Sequence, residues 1–335
     1  MRLFGPAMGI GAAAVVVLVL LSVAWGSTVI PLREVVASLA HAAGFEAAPP
    51  SGPVGRIVVD LRLPRTLLAI CVGAGLGVVG ALLQTVTRND LADPFLFGLS
   101  SGAAAGAVSV ITVFGDRLGI WTLPVATFTG GMLAAVLVLA LVSRLRGQGP
   151  ERLILAGLAV SFLFTALTNY LVFSGDQRAA HSVLFWTMGG LGLARWDNIG
   201  FAALGAAGIA GFALWNHRRL DAFLAGGSTA ESLGVRVTRF RMAVFLAAAF
   251  ATATLVALAG VIGFVGLMIP HLARRVAGPL HLRLTIACAI FGAALLLMSD
   301  LAARTLLPAQ ELPIGIVTSS LGAFFVVFML MRNRV

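Results

Sequence analysis

Apolar residues run along the chain in long blocks separated by short polar segments. Blocks near 9–27, 64–85, 95–114, 123–143, 153–173, 197–215, 242–259, 261–276, 284–303 and 315–331 approach the roughly 18–20 residues with which a helix crosses about 30 Å of hydrocarbon. None shows the two-residue alternation that barrel strands need. The pattern predicts an all-α, polytopic membrane protein of about ten transmembrane helices, one transmembrane domain over residues 1–335. The first block is long for a secretory signal, lacks a small-x-small cleavage site and precedes many further blocks, so it reads as the first span.

The stretch VALAGVIGFVGLMIPHLARR leaves two readings. A single tilted helix over 242–270 gives nine spans. A break at Gly260, Gly263, Gly266 and Pro270, with a short helix after it, gives ten. Charge helps to decide. With ten spans and an inside N-terminus, 15 of the 23 basic residues, all arginines, gather on one side and 8 on the other. The positive-inside rule then places both termini and the 224–241 loop in the cytoplasm.

Composition agrees with the pattern: 59% of residues are hydrophobic, 11% charged, and mean hydropathy is +1.02. A net charge of +10 invites a nucleic-acid reading, but no soluble domain carries it, and positive cytoplasmic loops explain it more simply. Cys71 and Cys288, the only cysteines, lie in apolar blocks and read as buried thiols. There is no P-loop, no HExxH and no Ser/His/Asp set, so neither ATP hydrolysis nor a bound cofactor is expected of this chain.

Three further patterns stand out. STVIPLREVVASLAHAAG places Leu32, Val35, Val36 and Leu39 on one helical face, with Pro31 early and Gly44 as a C-cap, an amphipathic helix on the outer surface. Gly73 and Gly77, and Gly98, Gly102 and Gly106, recur every four residues and mark close helix packing. The third, LAGGSTAESLGVRVTRFR (Leu224–Arg241), is a polar, basic island between apolar blocks. Its Ser228-x-x-Glu231 spacing predicts a capping box, Gly234 a C-cap, and Asp221 a cap for the AFLA segment. Two very short helices here form either a solvated loop or a knob shaped for a cytoplasmic partner; ordinary helix connections take only about 2–8 residues.

RLPRTLLAICVGAGLGVVGALLQTVTRNDLADPFLFGLSSGAAAGA, GSTAESLG, GVIGFVGLMIPHLARR and ELPIGIVTSSLGAFF, in this order from about residue 55 onward, resemble the FecCD-type permeases. These are the membrane subunits of type II ATP-binding-cassette importers for iron–siderophores, haem and vitamin B12. The resemblance implies the type II permease fold with ten helices per subunit. It also implies a homodimer, or a heterodimer with a similar permease, and a path between the subunits. Two cytoplasmic ATPases that use ATP and Mg, and an extracytoplasmic binding protein, complete the assembly in a bacterial inner membrane. Coupling helices are expected about 218–241, with Gly226, Ser228, Thr229, Ala230, Glu231, Ser232, Leu233 and Gly234 facing the ATPase. The family pattern there usually begins Gly-Glu, where this chain has Gly226-Gly227.

The same resemblance implies that Arg62, Arg65 and Arg304 dock acidic residues of the binding protein, where guanidinium forks suit carboxylates; interfacial snorkelling is the other reading. Asn89 and Leu91 match residues that narrow the cytoplasmic exit, although Asp90 stands where the family commonly has Pro. Gly149, Pro150 and Glu151 replace the small hydroxyl residues of a second gating element. Asp93-Pro94 reads as an N-cap and first helical residue. Asp300, four residues before Arg304, reads as an ion-pair partner ahead of a proton-relay site. His271 reads as a helix-end histidine bonded to backbone ahead of a haem or iron ligand. The expected function is import of an iron chelate, siderophore or haem, with vitamin B12 as the alternative and an ion-coupled secondary transporter as a distant one.

Overall fold

The structure, a computed structural model, describes residues 4–26, 28–45, 53–114, 119–144, 149–307 and 310–332. Of the arginines counted above, Arg2, Arg117, Arg146 and Arg334 lie outside these residues. The described chain is built of helices. They are α1 Phe4–Ala24, α2 Leu32–Ala42, α3 Val54–Thr87, α4 Leu99–Phe114, α5 Thr122–Arg144, α6 Glu151–Ser174 and α7 Gln177–Thr187. After these come α8 Trp196–Trp215, α9 His217–Leu224, α10 Gly227–Ser232, α11 Val237–Ala259, α12 Val265–Ala277, α13 His281–Thr305 and α14 Ile314–Arg332.

Eight of them (α1, α3, α5, α6, α8, α11, α13 and α14) are long and apolar enough to span a membrane. The shorter α4 and α12 complete the ten expected segments, and the chain does break after Ala259. The break is held inside protein, as irregular backbone at membrane depth must be. Gly190 N–H donates to the Ala259 carbonyl at 2.9 Å, Ile314 N–H to Gly189 at 3.1 Å and Gly315 N–H to Met188 at 3.0 Å. The segment leading to this crossing, α7, was not expected from the sequence; Asp176 caps it by accepting from Ala179 N–H at 2.7 Å.

At the centre stands α3, buried along most of its length and packed on α13, α8, α11 and α12. Glycine allows these approaches. A Cβ on Gly73 would strike the Gly292 carbonyl of α13, a Cβ on Gly292 would strike the Gly73 carbonyl, and one on Gly80 would strike Gly266 of α12. The second stripe works partly as expected: Gly102 and Gly106 meet α5 at Gly130 and Ala126. Gly98 instead lies before α4 at φ +76°, ending a short 3₁₀ turn, Pro94–Phe97, that Asp93 caps. By contrast α1 and α14 are mostly exposed, as lipid-facing helices are.

The amphipathic helix forms as α2, followed by Gly44 with φ +81°. Its apolar face divides: Val35 is buried with Val23, Ile30 and Val58, while Leu32 and Val36 stay exposed. That suits a helix resting on protein and on a membrane interface together.

Substituting Gly73→Ala should destabilise the detergent-solubilised protein by about 1–3 kcal/mol, because carbonyl backbone, not a flexible side chain, occupies the space. Gly208→Ala, with nothing within 4 Å, should leave the melting temperature unchanged. Equal melting temperatures for the two variants would refute the seam.

Candidate functional sites at the two ends of α3

The N-terminal end of α3 carries Arg62 and Arg65. Arg62 lies on a π-helical turn, Ile57–Arg62, and its guanidinium turns inward. Nη1 donates to the carbonyls of Val23 and Ala24, both at 2.8 Å, and Nη2 to the carbonyl and hydroxyl of Thr28 at 2.5 and 3.1 Å. Arg304 reaches the same place from α13, donating to Trp25 and Ser22 carbonyls at 3.1 Å and to the Ser22 hydroxyl at 2.8 Å. Two arginines thus donate to carbonyls at the end of α1, where the Ala24 carbonyl also accepts the Ile30 N–H at 2.9 Å, and complement its dipole.

Asp300 balances this charge. Its carboxylate is fully buried between Arg304 at 2.9 Å, the expected four-residue pair, and Arg65 at 2.8 Å from another helix. Arg65 also pairs with the exposed Glu311 at 2.8 Å. Of the three arginines proposed for docking, Arg65 alone keeps appreciable access, its side chain 17% exposed; Arg62 and Arg304 are buried and committed to α1.

The opposite end of α3 carries the loop expected to gate an exit. Arg88 ends the helix at φ +50°. Asn89 accepts the Leu91 N–H on its side chain at 2.9 Å, so it shapes the loop while Leu91 projects, 46% exposed. Leu91 borders an apolar groove of about 580 Å³, with Phe95 and Leu96, Met188, Phe264 and Ile316. Asp93 lies at its edge; burial pushes that carboxyl up to about 6, against the lowering effect of the Phe95 N–H. Phe264 was not singled out from the sequence. It adopts φ +67°, where glycine is favoured, and Gly322 of α14 has no side chain to collide with its ring.

Beneath the groove runs a polar chain that begins with a proline. Pro270 inside α12 has no N–H for the Gly266 carbonyl. Gln84 of α3 donates to that carbonyl at 3.1 Å instead, and its own oxygen accepts from Arg274 at 2.7 Å. Arg274 also pairs with Asp90 at 3.2 Å, giving a partner to the residue that stands where the family commonly has Pro. His271 departs from expectation: its Nε2 accepts from Arg275 at 3.0 Å and its ring packs on Phe325. It lies inside α12, one turn before Arg275, so the side chain is the nearer donor. No group of His, Cys, Asp and Glu fit for a metal occurs among the described residues.

The polar island forms two short helices, α9 and α10, but not with the expected caps. Gly226 precedes α10 at φ +107° and its carbonyl accepts from Ala230 N–H; Ser228 lies within the helix and no side chain caps it. The Ser228/Glu231 box is therefore absent, because glycine takes the backbone angle that starts this helix. Asp221 lies inside α9 and accepts from His281, so it caps nothing in AFLA. Gly234 does end α10, at φ +84°, with Val235 N–H donating to Ala230 at 2.9 Å. Ser228, Thr229, Glu231, Ser232, Leu233 and Gly234 are exposed, whereas Gly226 and Ala230 face the protein. Leu220 and Phe223 anchor α9 in the core, Phe223 against Phe240 at 5.7 Å between centroids. The Gly149–Glu151 segment starts α6, with no side-chain cap.

A match to the FecCD transport family extends over residues 14–332. The chain belongs to that family. It is 36% identical over 281 residues to the hemin transport system permease HmuU of Yersinia pestis, covering 83% of this chain and 84% of that one. The Fe(3+) dicitrate permease FecD of Escherichia coli K12 is 36% identical over 278 residues, covering 83% and 86%. The vitamin B12 permease BtuC of Escherichia coli is 33% identical over 283 residues, covering 84% and 86%. Among solved structures, a transporter described as of the metal-chelate ABC type, in an inward-facing conformation, superposes with a TM-score of 0.83 at 30% identity, covering 99% of this chain and 100% of that one.

In this FecCD member the arginine cluster gives a direct test. Asp300→Asn leaves buried guanidinium charge uncompensated and should cost about 3–5 kcal/mol of stability. Glu311→Gln breaks only an exposed pair and should cost at most about 1 kcal/mol. Thermal unfolding in detergent measures both, and similar losses would mean that Asp300 does not hold the cluster.

Proposed function

We propose that this chain is the permease subunit of an ATP-driven importer that carries an iron chelate, siderophore or haem, across a bacterial inner membrane. The carrying observation is the apolar groove beside Leu91 and Phe264, which has no ligand-fixing cluster and suits a bulky chelate held weakly. The hemin and ferric dicitrate permeases among its relatives support that substrate class. Cobalamin is the second reading, favoured by the B12 permease match.

A second copy of the chain packed against this groove would complete the path. The exposed face of α10 is the docking surface for one of two ATPases, and the Arg65–Glu311 surface, supported from beneath by Arg62 and Arg304, faces an extracytoplasmic binding protein. The arginine bias supports a cytoplasmic position for α10 and both termini.

The test is reconstitution in proteoliposomes with the ATPase and binding protein, offered ferric siderophores, haemin and cobalamin. ATP-dependent accumulation of an iron chelate is expected. Accumulation of cobalamin alone selects the second reading, and uptake driven by an ion gradient without ATP overturns both.

A further inference from the structure

The α9–α10 element is tied into the membrane core by a buried relay. Asp221 of α9 accepts two hydrogen bonds from His281, the first residue of α13: from the backbone N–H at 2.8 Å and from Nδ1 at 2.7 Å. On the other side of the ring, Nε2 lies 2.8 Å from the Thr85 hydroxyl in the last turn of α3. His281 is 1% exposed and Thr85 6%, so water does not compete for these bonds. The order Asp–His–Thr resembles a hydrolase relay, but Thr85 is buried, bonds its own helix at Ala81 and lines none of the cavities described above. It is a link, not a nucleophile.

A second link comes from the other flank of the element. Arg241, near the start of α11, donates from Nε to the Val86 carbonyl at 3.0 Å. The two chain segments that flank α10 therefore grip adjacent residues of α3, Thr85 and Val86. Two residues further on the backbone turns at Arg88 and leads to Leu91 at the groove. Around the same end of α3, Gln84, Arg274 and Asp90 add a third set of bonds.

We propose that His281 is a positioning residue through which α9–α10 sets the end of α3, and hence the Leu91 side of the groove. The proposal rests on reading α10 as the ATPase-docking surface. A push on α10 reaches the end of α3 through the buried His281–Thr85 contact and the part-buried Arg241–Val86 bond. No motif marks this link: Asp221, His281 and Thr85 lie far apart along the chain and meet only in the fold.

The experiment uses the full transporter with its ATPase in proteoliposomes, reading substrate transported per ATP hydrolysed and ATPase retained on co-purification. Thr85→Val keeps the shape and removes the hydroxyl. It should retain the ATPase while transport per ATP falls about fivefold, the size of one lost hydrogen bond. Thr85→Ser should restore the wild-type ratio, and His281→Phe should match or exceed the Thr85→Val loss. Nitroxide labels at Ser228 and Leu91 should keep a narrow distance distribution in wild type and a broadened one in Thr85→Val. An unchanged transport ratio in Thr85→Val overturns the proposal, as does loss of the ATPase from that variant, which would make the contact part of the docking surface only. Gly234→Val, which strains the end of α10 at φ +84°, separates the two readings. If it keeps a bound and fully coupled ATPase, α10 is not the docking surface and both readings fail. If it releases the ATPase while Thr85→Val transports normally, only the relay is lost.

Discussion

A carboxylate fully removed from water, Asp300, holds one end of this molecule together. Burying an unpaired charge costs several kcal/mol, so the aspartate is stable there only because Arg65 and Arg304 flank it at hydrogen-bonding distance. The arginines in turn are needed by α1, whose last carbonyls have no helical partner. Arg62 adds two more bonds to those carbonyls. The first helix, mostly exposed, packs along one side on α13 and is fastened at its end to α3 and α13 by these bonds. The same cluster leaves one guanidinium, that of Arg65, near the surface, beside Glu311.

The opposite end depends on hydrogen bonds that repair the backbone. Pro270 frees a carbonyl in α12 and Gln84 takes it up, which brings Arg274 and then Asp90 into line at the loop that leads to Leu91. The glycine seam between α3 and its neighbours lets backbone meet backbone, so displacement of α3 along its axis meets carbonyl contacts, not yielding side chains. A rigid central helix with one end near Arg65 and the other near Leu91 is well suited to carry a change of shape between the two faces. Phe264 is the strained point in that frame, held at φ +67° at the groove and accommodated by Gly322.

Much of this was legible along the chain. Apolar block length gave the spans, because hydrocarbon thickness fixes helix length whatever the neighbours. Glycine and proline spacing located the break after Ala259, the seam at Gly73 and the turns at Gly44 and Gly234, since glycine lacks the Cβ that would collide and takes positive φ most freely, while proline cannot continue a helix's hydrogen bonds. The four-residue spacing gave the Asp300–Arg304 pair. The Ser228 box failed for the same kind of local reason, with Gly226 providing the starting angle instead.

What only tertiary structure decided are the contacts between residues distant in sequence. Arg65 with Asp300, Gln84 with Gly266, and Asp221 with His281 and Thr85 carry no spacing signal, because the partners lie on different helices. Whether an arginine at a helix end points outward to a partner or inward to a neighbouring carbonyl is likewise set by what stands beside it. Sequence by itself determined how many times the chain crosses and where it bends, both properties of a segment in its solvent. Which polar groups become buried, and therefore must find one another, followed from how the helices pack.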